Sequence, residues 1–496
     1  MNTANTNTNV SILELPALLT RLFERAERPL LPEAKGQPGL FVRYLRRKPA
    51  RGLAVIYMVD EIRPRGSRTK TQGKHVSRSV SLTLDEKALD GAAIRFNASQ
   101  VEQAALEVLP SGVLQTEELG LAVQAFPADN ALPALAASCD TSPGSQLWLA
   151  LQEAAQMQLG SADWHLTAAE AEPVRYKPAS RCVMRYKLVL ANNTTSEQRD
   201  LTIFGKVYAD VTQARAVQAL QQQLYDEQVR MQQAWPLLPR PLGILDAFGL
   251  TFNEAVQPAS SQQGEQRLRT GIRALEPRIE RGRGGEFLRA VLPQTELRLT
   301  AEALAGLHTS TVHPGEKTLR PGAKEAKRAR ERAALIASRN VGQAEEVQQL
   351  AQQLAQRLET LQPDTYRPAH GGFKASQLLF HSGHVFVVDF DGFCLADPAL
   401  DVGYFLAYLR PSGLWYGLQG MRQWFEEAAE VFKNSYRQAM LARGVRTTEI
   451  DGIIQRAKLY EAALLFKIAT RRVNRLNSPR PKELLAMMQE IARCLT

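Results

Sequence analysis

Apolar and polar positions in this chain follow two periods, strand-like alternation in the first half and a helical period from residue 263 onward. Residues 10–30 are amphipathic, from Ser11-Ile12-Leu13 through Leu22-Phe23, and predict one helix ended by Pro29. Residues 39–59, GLFVRYLRRKPARGLAVIYMV, predict strand, turn, strand, with Pro49 and Gly52 in the turn. Residues 79–84 alternate like a half-buried strand, 99–109 suit a short helix, and 121–126 suit a strand stopped by Pro127. After a turn-rich stretch at 128–143 come a helix at 145–158 and a second strand–turn–strand at 174–188. This hairpin echoes the first: Lys48-Pro49-Ala50 with Tyr57 stands against Lys177-Pro178-Ala179 with Tyr186, spaced alike. Internal duplication and coincidence of two similar hairpins both account for the match.

Further strands are expected at 201–208, 242–244 and 250–256, around a Gln-rich helix at 211–234. Helices follow near 297–310, 324–337, 343–360, 418–443, 447–475 and 481–494, with 278–285, RIERGRGG, as a loop and the basic run 318–333 as a solvated face. Within this helical half, residues 378–380 and 385–388 are short apolar runs flanking His381-Ser382-Gly383-His384. A hairpin there holds Gln377 and Asp389 side by side. An amide and a carboxylate so placed suit a hard cation, since magnesium takes oxygen ligands.

Composition narrows the class. Hydrophobic content of 44% with 23% charged residues is that of an ordinary globular protein, and no apolar run approaches the roughly 20 residues of a membrane helix. The start, MNTANTNTNVSILELP, lacks a basic segment followed by an apolar core, so no signal peptide is expected. The four cysteines have no metal-ligand spacing and read as reduced thiols of a cytoplasmic protein. The net charge of +10 suits nucleic acid, a membrane surface or an enzyme drawing in ATP, and does not choose among them. A basic loop at 61–78 carries Arg63, Arg65, Arg68, Lys70, Lys74 and Arg78, but no aromatic residues interleave for base stacking.

Residues 370–409 resemble the catalytic core of the aminoglycoside phosphotransferase and choline kinase-like families, whose motif runs His-Gly-Asp, four residues, Asn, then a hydrophobic strand ending in Asp. His370-Gly371 matches; Gln377 stands at the metal-binding Asn and Asp389 at the principal magnesium ligand. By the same resemblance Lys374 is a phosphate-contacting lysine, His370 is structural, and Asp401 in Asp397-Pro398-Ala399-Leu400-Asp401 braces the loop, a role compatible with capping the next helix. Asp391 is a second metal ligand, a partial stand-in for the base, or a turn residue. Lys206 matches the strand lysine that pairs with ATP phosphates, Glu227 is its acidic partner ahead of Asp226, and backbone near Glu254 and Val256 meets adenine. His308 reads as a packed or capping histidine. One departure matters most: the catalytic Asp is Gly372, and general-base help contributes roughly 10²–10⁴-fold.

The resemblance implies an α+β chain with a bilobal protein kinase-like fold, β-rich N-lobe and helical C-lobe, preceded by an accessory β-rich N-terminal domain. The expected divisions are 1–36, a tail and helix; 37–140, the accessory domain; 141–258, the N-lobe; and 259–496, the C-lobe. The implied activity is phosphotransfer from ATP, with Mg2+, to a small hydroxylated molecule. Against it stands a pseudokinase that binds nucleotide or acts as a scaffold because position 372 is glycine. A third reading is an anion- or nucleic-acid-binding protein working through 61–78.

Overall fold

In the computed structural model the described residues are 15–27, 39–48, 52–60, 79–90, 93–231, 238–256, 268–281, 288–339, 341–474 and 481–496. The basic loop at 61–78 lies outside them. The chain divides into two compact units, one of residues 1–218, 242–254 and 474–478, the other of 219–241, 255–473 and 479–496.

Among its described residues the first unit contains two large antiparallel sheets. Helix α1 (Leu15–Arg25) buries Leu15, Leu18, Leu19, Leu22 and Phe23, the stripe its spacing predicts. It shares a core with a sheet of β1 (Gly39–Lys48), β2 (Gly52–Asp60), β3 (Ser79–Leu84), β4 (Glu107–Val108), β5 (Leu114–Thr116) and β6 (Leu121–Ala125), ordered β1-β2-β3-β6-β5-β4. Helix α2 (Ala98–Gln103) is shorter than expected; Asn97 caps it and the chain turns into β4. A second core joins helix α3 (Gln146–Leu159) to β7 (Trp164–Lys177), β8 (Arg181–Asn192), β9 (Gln198–Tyr208), β10 (Pro241–Leu245) and β11 (Leu250–Glu254), ordered β10-β11-β9-β8-β7. Helix α4 (Val211–Met231) follows β9 in sequence.

The two sheets repeat one scheme. In each, a helix precedes a hairpin and a third strand, and the last of the later strands, three in the first sheet and two in the second, pairs with that third strand. The hairpins close alike, Lys48 opposite Gly52 and Lys177 opposite Arg181. Tyr57 and Tyr186 are fully buried at equivalent positions. This is the arrangement a duplication predicts.

The second unit is mainly helical: α5 (Gln294–His308), α6 (Gly322–Ala337), α7 (Ala344–Glu359), α8 (Ala399–Leu409), α9 (Met421–Leu441), α10 (Thr447–Val473) and α11 (Pro481–Leu495). Its short strands are β12 (Arg269–Thr270), β13 (Arg278–Arg281), β14 (Leu288–Val291), β15 (Arg367–Ala369), β16 (Leu378–His381), β17 (His384–Val387) and β18 (Cys394–Ala396). Residues 278–281, expected in a loop, form β13 because their backbone pairs antiparallel with β14, a partner that the charged composition of the segment does not reveal. The basic run at 318–333 is not simply a solvated face. Lys324 and Lys327 are exposed, but Glu325 is fully buried and Ala326, Ala329 and Ala333 face the core. Among the described residues no helix is long and apolar enough to cross a membrane.

Candidate functional site

Strands β16 and β17 pair Leu378 with Val387 and His381 with His384 across a two-residue turn. Ser382 (φ 48°) and Gly383 (φ 75°) both take the left-handed conformation that such a tight turn requires. The Val388 N–H donates to the Gln377 carbonyl at 3.0 Å, so the pairing continues beyond the strands. Gln377 Nε2 accordingly donates to Asp389 Oδ2 at 3.4 Å, the juxtaposition the hairpin predicts. Gln377 is buried, and its Oε1 has no hydrogen-bond partner. Asp389 is held at φ 73°, ψ 57°. A non-glycine residue there costs on the order of 1–3 kcal/mol, and such strain concentrates at functional sites.

An orphaned amide oxygen beside a carboxylate fits a hard divalent cation. Among the described residues no group of three or more His, Cys, Asp or Glu side chains is placed to hold a metal. A cation here would lean on few protein oxygens and complete its shell with water and phosphate, which is how magnesium is commonly held. Asp391 lies two residues on, half-buried in the single turn 390–392.

The loop 370–374 is fixed from several sides. His370 is buried, with Nε2 3.2 Å from the Val388 carbonyl and its ring against Phe390 and Phe373. Burial lowers its pKa, so it is neutral near pH 7. Asp401, at the start of α8, accepts from the Gly371 N–H at 3.2 Å and the Phe373 N–H at 3.3 Å. Burial opposes its ionisation, but the His308 and His370 side chains and the Phe373 amide hold its pKa below the ordinary value. His308 is more than a packed or capping residue: Nε2 lies 3.6 Å from Asp401 and Nδ1 2.7 Å from the Tyr436 hydroxyl.

Arg320, which sequence reading left on a solvated face, donates to the Gly371 carbonyl at 2.6 Å, to Glu325 at 2.8 Å and to the Tyr404 hydroxyl at 2.8 Å. No local pattern marks its link to the loop, because Gly371 and Tyr404 are 51 and 84 residues away. Asp397 is held by both sides of the Arg456 fork, at 2.8 and 3.2 Å. Gly371 (φ 72°) must be glycine, since a Cβ would lie 2.0 Å from the Gly392 carbonyl. Gly372 is different. A Cβ there meets nothing within 4 Å, so the position has room for a side chain.

The remaining predicted residues are placed as follows. Lys374 Nζ lies over the Tyr408 ring, 5.9 Å from its centre. Lys206 on β9 pairs with Val183 and Thr251 in the sheet, its Nζ 5.1 Å from the Tyr208 ring centre. Glu254 closes β11 and accepts from Gln158 Nε2 at 3.4 Å, and Val256 follows, half-buried. Glu227 is buried, and its carboxylate accepts from the Ser310 hydroxyl and from the Thr311 N–H and hydroxyl, each of the latter at 2.7 Å. Asp226 is exposed and bonds Gln222 one helical turn away.

Residues 201–429, which hold this loop, the strand pair and the Gln377–Asp389 pair, match the phosphotransferase enzyme family. The resemblance read at 370–409 is thereby borne out, and the chain is α+β, with its larger sheets before residue 255 and its helices mostly after it. Among solved structures, a glucosamine kinase in complex with glucosamine, ADP and inorganic phosphate is 16% identical, covering 99% of this chain and 100% of that chain with a TM-score of 0.44. A choline/ethanolamine kinase family protein from Mesorhizobium loti is 13% identical, over 62% and 83%, with a TM-score of 0.36. An ethanolamine kinase from Plasmodium vivax is 9% identical, over 66% and 82%, with a TM-score of 0.38. No curated protein matches the sequence.

Proposed function

We propose that this protein transfers phosphate from ATP, with magnesium, to a small hydroxylated molecule. The carrying observation is the buried, unpartnered Oε1 of Gln377 beside the strained carboxylate of Asp389. Bound there, magnesium would neutralise charge on the phosphates and hold them in line for transfer. Gln377 and Asp389 supply its protein oxygens, while His370, Asp401 and Arg320 keep the loop in place. Lys374 and Lys206 are assigned to phosphate contacts and Asp391 to the outer part of the metal site. Glu254 and Val256 keep their assignment to adenine. The cytoplasmic placement is part of the proposal and draws on four free thiols.

A second reading, a nucleotide-binding pseudokinase, is favoured by one observation, the glycine at 372. The two share a first test. ATP with magnesium is expected to raise the melting temperature, since a ligand at 100 times its Kd contributes about 2.7 kcal/mol. Asp389→Asn is expected to abolish the magnesium-dependent part while the unliganded variant melts within a few degrees of the parent. A parent that shows no magnesium-dependent shift at millimolar ATP rules out both readings.

A further inference from the structure

Beside the loop 370–374, helices α6, α8 and α10 bring together more positive charge than the local carboxylates match. On α8, Tyr404 and Tyr408 lie one turn apart. Arg320 and Lys467 both pack on the Tyr404 ring, at 5.5 and 5.1 Å from its centre. Lys374 packs on Tyr408, whose hydroxyl accepts from Arg471 at 2.8 Å. Lys467 and Arg471 are themselves one turn apart on α10, and Arg332 of α6 reaches that helix through the Ala463 carbonyl at 3.1 Å. Among the described residues, the carboxylate paired with Arg320, Arg328 and Arg332 is Glu325, and no carboxylate pairs with Lys467 or Arg471. Lys467 is half-buried among these cations with no carboxylate paired to it, which is costly unless something anionic completes it.

We propose that the acceptor carries a phosphate group in addition to its reacting hydroxyl, and that Lys467, Arg471 and Arg332 bind that phosphate beside the loop. The inference rests on the phosphotransferase reading and names the acceptor class for it. Arginine forks suit phosphate oxygens, and a compact dianion meets several cations at once. The absence of a carboxylate at 372 agrees with this, since an aspartate there would repel an acceptor already carrying negative charge. In the transfer, the acceptor oxygen bonds to the γ-phosphorus, the bond from that phosphorus to the β–γ bridging oxygen breaks, ADP leaves with the electron pair, and the hydroxyl proton passes to water.

The cluster also gives the site a pH signature. Burial pushes the Lys467 ammonium down to about 7, with Arg471 on its own helix and Arg332 and Arg320 opposite reinforcing the effect and Glu325 opposing it; Tyr404 is the remaining group facing it. An arriving phosphate supplies the missing counter-charge and favours the protonated lysine. Binding then takes up a proton, and affinity falls as pH rises through this range.

Calorimetric titration of the full chain, without nucleotide, tests this with glycerol 3-phosphate, glycerol and ethanolamine at pH 6.5 and 8.5. Glycerol 3-phosphate is expected to bind, glycerol and ethanolamine to bind at least 10-fold more weakly, and the phosphate ester to lose about 10-fold in affinity at pH 8.5. Its own charge is greater at pH 8.5, so simple attraction to fixed cations runs the other way. Lys467→Met, and separately the exposed Arg471→Gln, are expected to weaken glycerol 3-phosphate binding at least 10-fold while leaving the affinity for ATP with magnesium unchanged. Equal binding of the three probes overturns the proposal. So does an equal loss of ATP affinity in both variants, which would make the cluster a nucleotide-phosphate site. If glycerol 3-phosphate binds as described but ATP with magnesium does not, the phosphotransferase reading fails and the acceptor assignment falls with it. If ATP with magnesium binds and glycerol 3-phosphate does not, the acceptor assignment alone fails.

Discussion

Single residues set what this site can do, and Gly372 sets the most. Its neighbours are in working order: Asp401 braces the amides on either side, Arg320 holds the Gly371 carbonyl, and the volume above Gly372 is open. Phosphoryl transfer relies mainly on positioning and charge neutralisation, so turnover without a base is slow rather than forbidden. Gly372→Asp should therefore fold normally and raise ATP turnover on neutral alcohols by up to roughly 10²–10⁴-fold. With a phosphate-bearing acceptor the gain should be smaller, because the added carboxylate repels it. The measurement is coupled ADP release by parent and variant on one acceptor panel. Nucleotide bound by both but consumed by neither leaves the pseudokinase reading standing. The sequence could set Gln377 beside Asp389, as the structure does, because a hairpin is a local device. It had no means of locating Arg320, His308 or Lys467, whose partners lie far away in sequence.

At the scale of elements, helix α8 is the piece on which the site is assembled. Its first turn supplies Asp401, its middle supplies Tyr404 and Tyr408, and it is buried for almost its whole length. It lies so close to α10 that Gly403 has no room for a methyl group; a Cβ would stand 2.5 Å from the Ala457 carbonyl and 2.7 Å from the Glu461 nitrogen. Alanine gains about 1 kcal/mol over glycine in a helix interior. Overpacking against rigid backbone costs about 1–3 kcal/mol, occasionally more, and is expected to win. Gly403→Ala should thus lower the melting temperature by several degrees and weaken binding at the Lys467 cluster as the helices part. Thermal denaturation with a glycerol 3-phosphate titration checks both, and an unchanged or raised melting temperature would refute the close approach.

At the scale of the whole molecule, the described residues form three large hydrophobic cores over two compact units, two in the first and one in the second. Leu151 is fully buried in a core of the first unit and Phe405 in that of the second. Leu151→Ala is expected to cost about 2–5 kcal/mol and Phe405→Ala about 3–5 kcal/mol. Scanning calorimetry should show each variant lowering a different component of the unfolding profile; a single transition lowered equally by both would mean that the cores unfold as one. The period change near residue 263 and the repeated hairpin with its spaced tyrosine told the β-rich part from the helical part, because periodicity is written by neighbours a few residues apart. The same locality exposed the loop, strand and metal-type pair at 370–389. Which charges are buried, which arginine closes on Gly371, and where uncompensated cations gather were decided by the tertiary structure alone. Burial and charge balance depend on residues that only packing brings together, and a basic run reads alike whether it faces water or a phosphate.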